Sequence, residues 1–541
     1  MSRRSVALRR VLVGTAAACA LVAVQPGAQP ASATTPPKTR VYVVVVDGLR
    51  PDEVALMPFL SSLAKTGTYY RESRSVMVAE TIPNHVAMVT GAYPDRNGIV
   101  ANDYPHVPSR TVRGNEDPKL LRTDSLFTLV QRQCPRLTAS AVTSKDYLFK
   151  VMNHDRTGDG KVDADSNFKN LDDPTFIPGF GLTPDERTLA EATRVSRELD
   201  PDFLFINLGS VDRVGHVDES GGSTSPLPTG SRPAARDVQR TNTDNYLRTF
   251  VEQLKAAGKW SSTALMVTAD HSMNWSLPTS TVSLTPAFQA DPLLKDQLVI
   301  AQNGGAALYS LKDRSAPKAQ ARLKRMRTIA VATDGVDEAL YRRPNPLDGD
   351  RAHWVGRVHP DWHQTSDRSG DLLVTADDGR RMTEPTSTSN PLPGNHGMPS
   401  TLRVPLVVSG GIGVVQRTVT GSSDPDVRAA GQSENVDIAP TAAWLLGVQP
   451  PRNGFDGRPL KEAFRTRPAA TCGAGTTAAA SVADSGSTGD LAVQPVSAPV
   501  AQPALGGAGS ANGDNGTRNA LSWGAVAALA GGLLVMRRRT G

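Results

Sequence analysis

The chain has 541 residues, 39% of them apolar and 21% charged, which is too long for one ordinary domain and too apolar for a disordered chain. Its formal net charge of +6 sits at the two ends, in Arg3, Arg4, Arg9 and Arg10 and in Arg537, Arg538 and Arg539. Setting those seven arginines aside leaves residues 34–536 at about −1, which excludes a basic nucleic-acid-binding domain.

In chain order, residues 1–33 have a basic start, an apolar run Val11–Val24 and a small-residue site Ala31-Ser32-Ala33, the layout of a cleaved export signal. Ser2-Arg3-Arg4 is a partial match to a twin-arginine signal. Cys19 is a poor lipoprotein cysteine, because Ala16 rather than Leu stands three residues before it. Residues 34–465 then alternate apolar runs with helical patterns. Val41–Val46, Phe203–Leu208, Thr263–Thr268 and Val404–Ser409 read as strands buried on both faces, and Asp185–Leu199 and Asp244–Ala257 as helices. The pattern predicts an α/β sandwich with a mainly parallel central sheet flanked by helices. Strand-like Gln297–Ala301, Ala306–Leu311 and Asp371–Ala376 predict a cap insertion at about 277–390.

Residues 466–519, rich in Ala, Gly, Ser and Pro, read as a disordered linker. Ala520–Met536 is 17 residues without a charge, the lower limit for a transmembrane anchor, and residues 537–541 form a basic cytoplasmic tail. The expected location is the extracellular face of the cell membrane. Of three cysteines, Cys19 leaves with the signal. Cys134 and Cys472 remain for one disulfide whose closeness the sequence leaves open, and no Cys-x-x-Cys supports thiolate zinc.

Open α/β folds bind ligands beyond the carboxyl ends of their strands. Asp47-Gly48 follows the first apolar run, Asp212 and His216 follow the second, and Asp270-His271 follows the third. His396 in Gly394-Asn395-His396-Gly397 adds a sixth oxygen or imidazole donor. An aspartate after a strand is ordinarily a turn former or helix cap. Their coincidence on three strand ends points to metal.

VVDGLRPD (45–52), ETIPNHVAMVTGAYPDRNGIVAN (80–102), DRVGH (212–216), TADH (268–271) and GNHG (394–397) occur in this order, followed by NVDIAPTAAWLLGVQPPRNGFDGRPL (435–460). This set resembles the alkaline phosphatase superfamily, nearest to its type I phosphodiesterase/nucleotide pyrophosphatase branch. The resemblance implies an alkaline-phosphatase-like fold. It also implies two divalent ions, zinc by residue type, one held by Asp47, Thr81, Asp270 and His271 and the other by Asp212, His216 and His396. It makes Thr81 the nucleophile and Asn102 a donor to the phosphoryl oxygen; the plainer roles are helix capping for Thr81 and a turn for Asn102. His85 reads as packing or support for the ligands. Lys145, in TSKDYL, is similar to lysines that bind phosphate monoesters, against the ordinary reading of a surface lysine.

Asp155–Ser166 is similar to a calcium loop, with Asp155, Thr157, Asp159 and Asp163 in suitable places, but Ser166 stands where the bidentate Glu belongs. His353, His359 and His363 have no ordered frame and read as solvated or packed. The expected function is a phosphodiesterase or nucleotide pyrophosphatase forming a phosphothreonine intermediate on a small phosphate ester or nucleotide. A phosphomonoesterase using the same metals is the alternative, and a non-catalytic surface-anchored binding protein the remote one. A sulfatase is disfavoured, since residues 79–85 hold no cysteine to mature to formylglycine.

Overall fold

The computed structural model describes residues 38–472, apart from 219–234, 278, 385, 388–391, 417–431 and 469–470. The export signal, the anchor, the basic tail and all but the first few linker residues lie outside these. Among the described residues no helix is long and apolar enough to cross a membrane.

Val41 to Val46 have no solvent exposure, as a strand covered on both faces requires. They belong to β1 (Arg40–Val46), the centre of a seven-stranded sheet with β2 (Thr68–Arg74), β3 (Ala139–Thr143), β4 (Ser166–Asn167), β5 (Phe203–Leu208) and β6 (Thr263–Thr268). The cap contributes β7 (Leu298–Asn303), β8 (Ala306–Leu311), β9 (Val336–Tyr341) and β10 (Leu372–Ala376), and the chain returns to the main sheet as β11 (Arg403–Gly410). The order is β2-β11-β6-β1-β5-β3-β4. Every pair is parallel except those of β11, which runs opposite to both neighbours.

Side chains alternate across a strand, so β1 feeds two cores. Tyr42, Val44 and Val46 pack with helices α1 (Pro58–Thr66), α5 (Asp185–Glu198) and α7 (Ala235–Ala256) through Leu60, Leu189 and Phe250. Val41, Val43 and Val45 pack with α2 (Thr81–Thr90), α3 (Leu126–Gln133), α4 (Asp146–Met152) and α9 (Ile438–Leu446) through Val86, Leu129, Val151 and Leu446. Each such aliphatic side chain contributes about 1.5–3 kcal/mol by burial. Helix α6 (Ser210–Val217) leaves the end of β5, and α8 (Ala319–Val331) belongs to the cap.

The cap is an antiparallel sheet, β7-β8-β10-β9, and the sequence pattern missed β9, whose alternation is interrupted by a bulge between Val336 and Glu338. Ala307, Tyr309 and Val374 on one face pack against Met326 of α8. Leu308 and Leu373 on the other pack with Met77, Val78 and Val100, which fastens the cap beside the start of α2.

Cys134 and Cys472 form a disulfide, with their Cα atoms 5.4 Å apart. The Cys472 N–H also donates to the Leu446 carbonyl, so ordered structure continues beyond the expected domain end at residue 465. Cys134 lies between α3 and the first residue of β3, at the amino ends of the parallel strands.

Candidate active site

The reversed direction of β11 brings His396 into place. Asp47, Asp212, Asp270 and His271 follow the carboxyl ends of β1, β5 and β6, whereas His396 precedes the amino end of β11. Because β11 is antiparallel, both positions fall on one rim. Gly394 and Gly48 allow the close approach there. A Cβ on Gly394 would lie 2.2 Å from the Gly215 carbonyl oxygen, and one on Gly48 (φ +72) would lie 3.2 Å from the Asp212 Cβ.

Two groups of donor atoms result, Asp47/Asp270/His271 and Asp212/His271/His396, each with its atoms within 4.8 Å of one another and every residue buried. His271 belongs to both, where the motif resemblance gave it to one. Its ring stacks on His396 at 3.8 Å between centroids. His216 stands alongside, its Nε2 3.3 Å from Asp212 Oδ1 and its ring 5.0 Å from that of His396.

The imidazoles are oriented by backbone carbonyls. His271 Nδ1 donates to the Ser272 carbonyl (2.9 Å), His216 Nδ1 to Gly394 (2.9 Å) and His396 Nδ1 to Ala79 (3.2 Å). A carbonyl only accepts, so each ring carries its proton on Nδ1 and keeps an Nε2 lone pair, the form that ligates metal. Burial, with His271 and His216 beside it, pushes His396 well below the usual imidazole range. Asp212 Oδ1 and Asp270 Oδ2 are buried without a hydrogen bond, their near neighbours being the imidazoles of His216 and His271. Unsatisfied buried carboxylate oxygens beside imidazole lone pairs are a donor set suited to divalent ions such as zinc. His85 differs: Nδ1 donates to the Thr81 carbonyl (2.8 Å) and Nε2 accepts from Asn207 (3.0 Å), so it supports and does not ligate.

Thr81 is the first residue of α2, and the N-cap position belongs to Glu80, so Thr81 is not the capping residue. Its hydroxyl donates to His271 Nε2 (3.3 Å) and accepts from Lys145 Nζ (3.2 Å). Lys145 is fully buried, so it is not a surface lysine, and it also donates to Asp47 Oδ1 (2.7 Å) and Asp212 Oδ2 (2.8 Å). Burial alone would push the ammonium down; Asp212 and Asp47 outweigh it and hold Lys145 charged. Burial raises Asp47 to about 6, with Asp270 adding and Lys145 opposing. Asp212 falls well below the usual range because the Lys145 ammonium beside it outweighs its burial.

Asn102 approaches the same place. Its Oδ1 accepts from the Ile82 N–H (2.8 Å) and its own N–H donates to Glu80 Oε2 (2.7 Å), so it is not a bare turn residue. That geometry fixes which amide atom is Oδ1 and leaves Nδ2 without a protein hydrogen bond among the described residues. Burial pushes Glu80 up to about 8.

Several supporting residues escaped the sequence reading. Asn207 donates to Asp47 Oδ2 (3.0 Å) and accepts from Ser144 (2.8 Å); a lone asparagine inside FLFINL was the available signal. Asn84 accepts from Asn435 Nδ2 (3.0 Å), which also donates to the Asp270 carbonyl (3.3 Å), tying α2 to the β6 loop. Arg236, wholly buried, donates to the carbonyls of Gly48 (2.8 Å) and Val211 (2.9 Å) and to Glu53 (2.7 and 2.9 Å).

The calcium-like loop does not converge in the same way. Asp155 accepts from the Gly158 and Gly160 N–H groups and the Thr157 hydroxyl, and Asp159 from Lys161 N–H. Asp163 is turned inward to Thr128 and the Arg156 N–H. Its carboxylates accept from the loop's own donors and, at Asp163, also from Thr128 of α3. His359 and His363 stack on Trp362 and Tyr93, as packed histidines do.

The family model of type I phosphodiesterase / nucleotide pyrophosphatase matches residues 41–399. Human ectonucleotide pyrophosphatase/phosphodiesterase family member 1 is 39% identical over 77 residues, 14% of this chain and 8% of that protein. Bovine bis(5′-adenosyl)-triphosphatase ENPP4 is 24% identical over 249 residues, 45% of this chain and 49% of that protein. The chain thus spans less than half the length of these curated relatives. Among solved structures, murine ectonucleotide pyrophosphatase/phosphodiesterase 5, an inactive variant in complex with AMP, aligns with a TM-score of 0.58 at 19% identity, covering 77% of this chain and 97% of that one. Phosphonoacetate hydrolase from Sinorhizobium meliloti 1021 with phosphonoformate aligns with a TM-score of 0.51 at 20% identity, covering 74% and 94%. With the family model matching well over half of its length, and the ordered motifs meeting on one rim, the chain belongs to the type I phosphodiesterase/nucleotide pyrophosphatase family.

Proposed function

We propose that this chain is a phosphoric ester hydrolase, a phosphodiesterase or nucleotide pyrophosphatase, working through a phosphothreonine at Thr81. The observation that carries this reading is the meeting of the Thr81 hydroxyl with two donor groups that share His271. Asp47, Thr81, Asp270 and His271 would hold one divalent ion and Asp212, His216 and His396 the other. Two bound ions, zinc by donor type, supply Lewis-acid stabilisation of the entering and leaving oxygens.

The chain's own residues do the rest. Thr81 Oγ forms the new bond to phosphorus as the ester bond to the leaving alcohol or phosphate breaks, and the hydroxyl proton passes through solvent to the leaving oxygen. Asn102 Nδ2 donates to a non-bridging phosphoryl oxygen as charge grows there. Water then attacks phosphorus, the bond to Thr81 breaks as a proton from that water returns to Thr81 Oγ, and phosphate or a nucleotide is released. The AMP bound to the murine relative supports nucleotides as the substrate class. Lys145 favours a second reading, a phosphomonoesterase, since its ammonium beside Thr81 suits the extra charge of a monoester dianion.

Assays of the purified full-length protein with paired monoester and diester substrates test both readings. Thr81→Ala should abolish turnover while bound divalent ions are largely retained, as counted by elemental analysis. Near-normal activity in Thr81→Ala, or full activity of protein stripped of ions by chelator, would overturn the mechanism. Residues 1–33 and 520–536 support export and a C-terminal membrane tether; active protein released to the medium on deletion of residues 520–541 is the expected result.

A further inference from the structure

Arg213 follows Asp212 on α6 and takes no part in the chemistry described above. Its Nε is closed off from solvent without an acceptor, and among the described residues its guanidinium makes no ion pair. Its cation lies over Tyr147, whose ring centroid is 5.8 Å from Arg213 Cζ, and feels the charges of Asp212, Asp47 and Asp146 without a hydrogen bond to them. The same centroid lies 5.8 Å from Lys145 Nζ, which reaches Thr81 Oγ1 at 3.2 Å. Tyr147 and Arg213 are both only half-buried, so they border solvent where Lys145 does not.

Two cations therefore flank one phenol ring, in unlike states. Lys145 donates to Asp47, Asp212 and Thr81. Arg213 has a planar fork of N–H donors with no acceptor, one ring away from the nucleophile. A guanidinium is charged at any working pH, and its fork matches carboxylate and phosphate oxygens. A closed-off donor on such a group is costly unless an acceptor arrives with the ligand.

We propose that Arg213 binds a second anionic group of the substrate, beyond the phosphoryl group that reacts at Thr81. This rests on the hydrolase reading and narrows it: the favoured substrates carry a neighbouring phosphate, as nucleoside di- and triphosphates do, whereas a diester of two uncharged alcohols lacks it. The arginine specifies the ligand, and Tyr147 holds the arginine by its ring face.

The test has a binding arm and a turnover arm. In the metal-loaded Thr81→Ala protein, calorimetric titration with ADP and AMP gives an affinity ratio that reports the additional phosphate. Adding Arg213→Ala should lower that ratio about 10- to 100-fold, the usual weight of a charge-assisted hydrogen bond, and Arg213→Lys should lower it less. In the otherwise intact enzyme, Arg213→Ala should lower the ratio of kcat/KM for ATP to that for bis(p-nitrophenyl) phosphate by a similar factor. Unchanged ratios in both arms would overturn the assignment. Wild-type enzyme that hydrolyses neither substrate would instead overturn the hydrolase reading, and the binding arm would still decide Arg213. The Arg213 guanidinium makes no hydrogen bond among the described residues, and its backbone bond to Gly209 survives substitution, so its loss leaves the fold intact, and unchanged thermal unfolding verifies that.

Discussion

Asn102 is where a single side chain has the clearest consequence. Ile82 N–H holds its Oδ1 and Glu80 holds its N–H, so Nδ2 is presented in a fixed direction. Asn102→Ala should lower kcat about 10²- to 10³-fold with a smaller change in KM, the pattern of a donor used chiefly in the transition state, and steady-state kinetics measure it. Lys145→Ala should lower kcat/KM for a monoester about 10- to 100-fold more than for a diester; equal losses would remove the monoesterase reading. The gathering of Asp47, Asp212, Asp270 and His271 was legible in the sequence because short apolar runs announce their strands and these residues follow the strand ends, whereas His396, which precedes β11, was legible through its motif. Arg213 and Asn435 were not, because what they touch depends on the folded placement of segments far apart in the chain. Lys145 lay between: its spacing was visible, but its burial was not.

Among the elements, the ligand-bearing loops depend on a buried ion group. Arg236 on α7 joins the loop after β1, through Gly48, to the first turn of α6, through Val211, with Glu53 as its counter-charge. Arg236→Met should cost about 1.5–3 kcal/mol, since Glu53 keeps Arg240 and the Arg50 N–H but loses its charge-assisted bonds from Arg236, visible in thermal or denaturant unfolding, and should weaken divalent-ion affinity about 10- to 100-fold. No sequence pattern marks that role, since an arginine near the start of a helix ordinarily faces water. At the amino ends of the central strands, burial pushes Asp200 up, but hydrogen bonds from Arg40 and Lys259 and the charge of Lys38 outweigh it and hold the carboxylate below its usual range. A depressed folded-state value gives stability that is complete above the unfolded carboxylate range and is lost as pH falls through and below it. Acid unfolding of Asp200→Asn should accordingly show a shallower loss of stability below about pH 4 than the wild type. Seven strands were legible to within a residue or two, while β2, β3, β4 and β9 were not read as strands, β2 and β9 because TYYRESR and VDEALY mix charge into the apolar alternation.

For the molecule as a whole, the disulfide and the catalytic rim occupy opposite ends of the parallel strands. Cys134→Ser with Cys472→Ser should lower stability by about 2–4 kcal/mol with kcat/KM within a factor of two of wild type, read from unfolding curves and kinetics on the same preparation. The reversed β11 has a further consequence, for the order of events during folding. Asp47 and His396 enter the chain 349 positions apart by their numbers, and only the return of the chain through β11 closes the distance. A chain that has formed β1, β5 and β6 but not yet added β11 holds the Asp47/Asp270/His271 group and lacks the completion of its neighbour. Loop closure over such a span is late and slow relative to local pairing. Divalent ions should therefore leave the rate of strand assembly nearly unchanged and act afterwards, slowing the escape of a finished sheet back to the open chain.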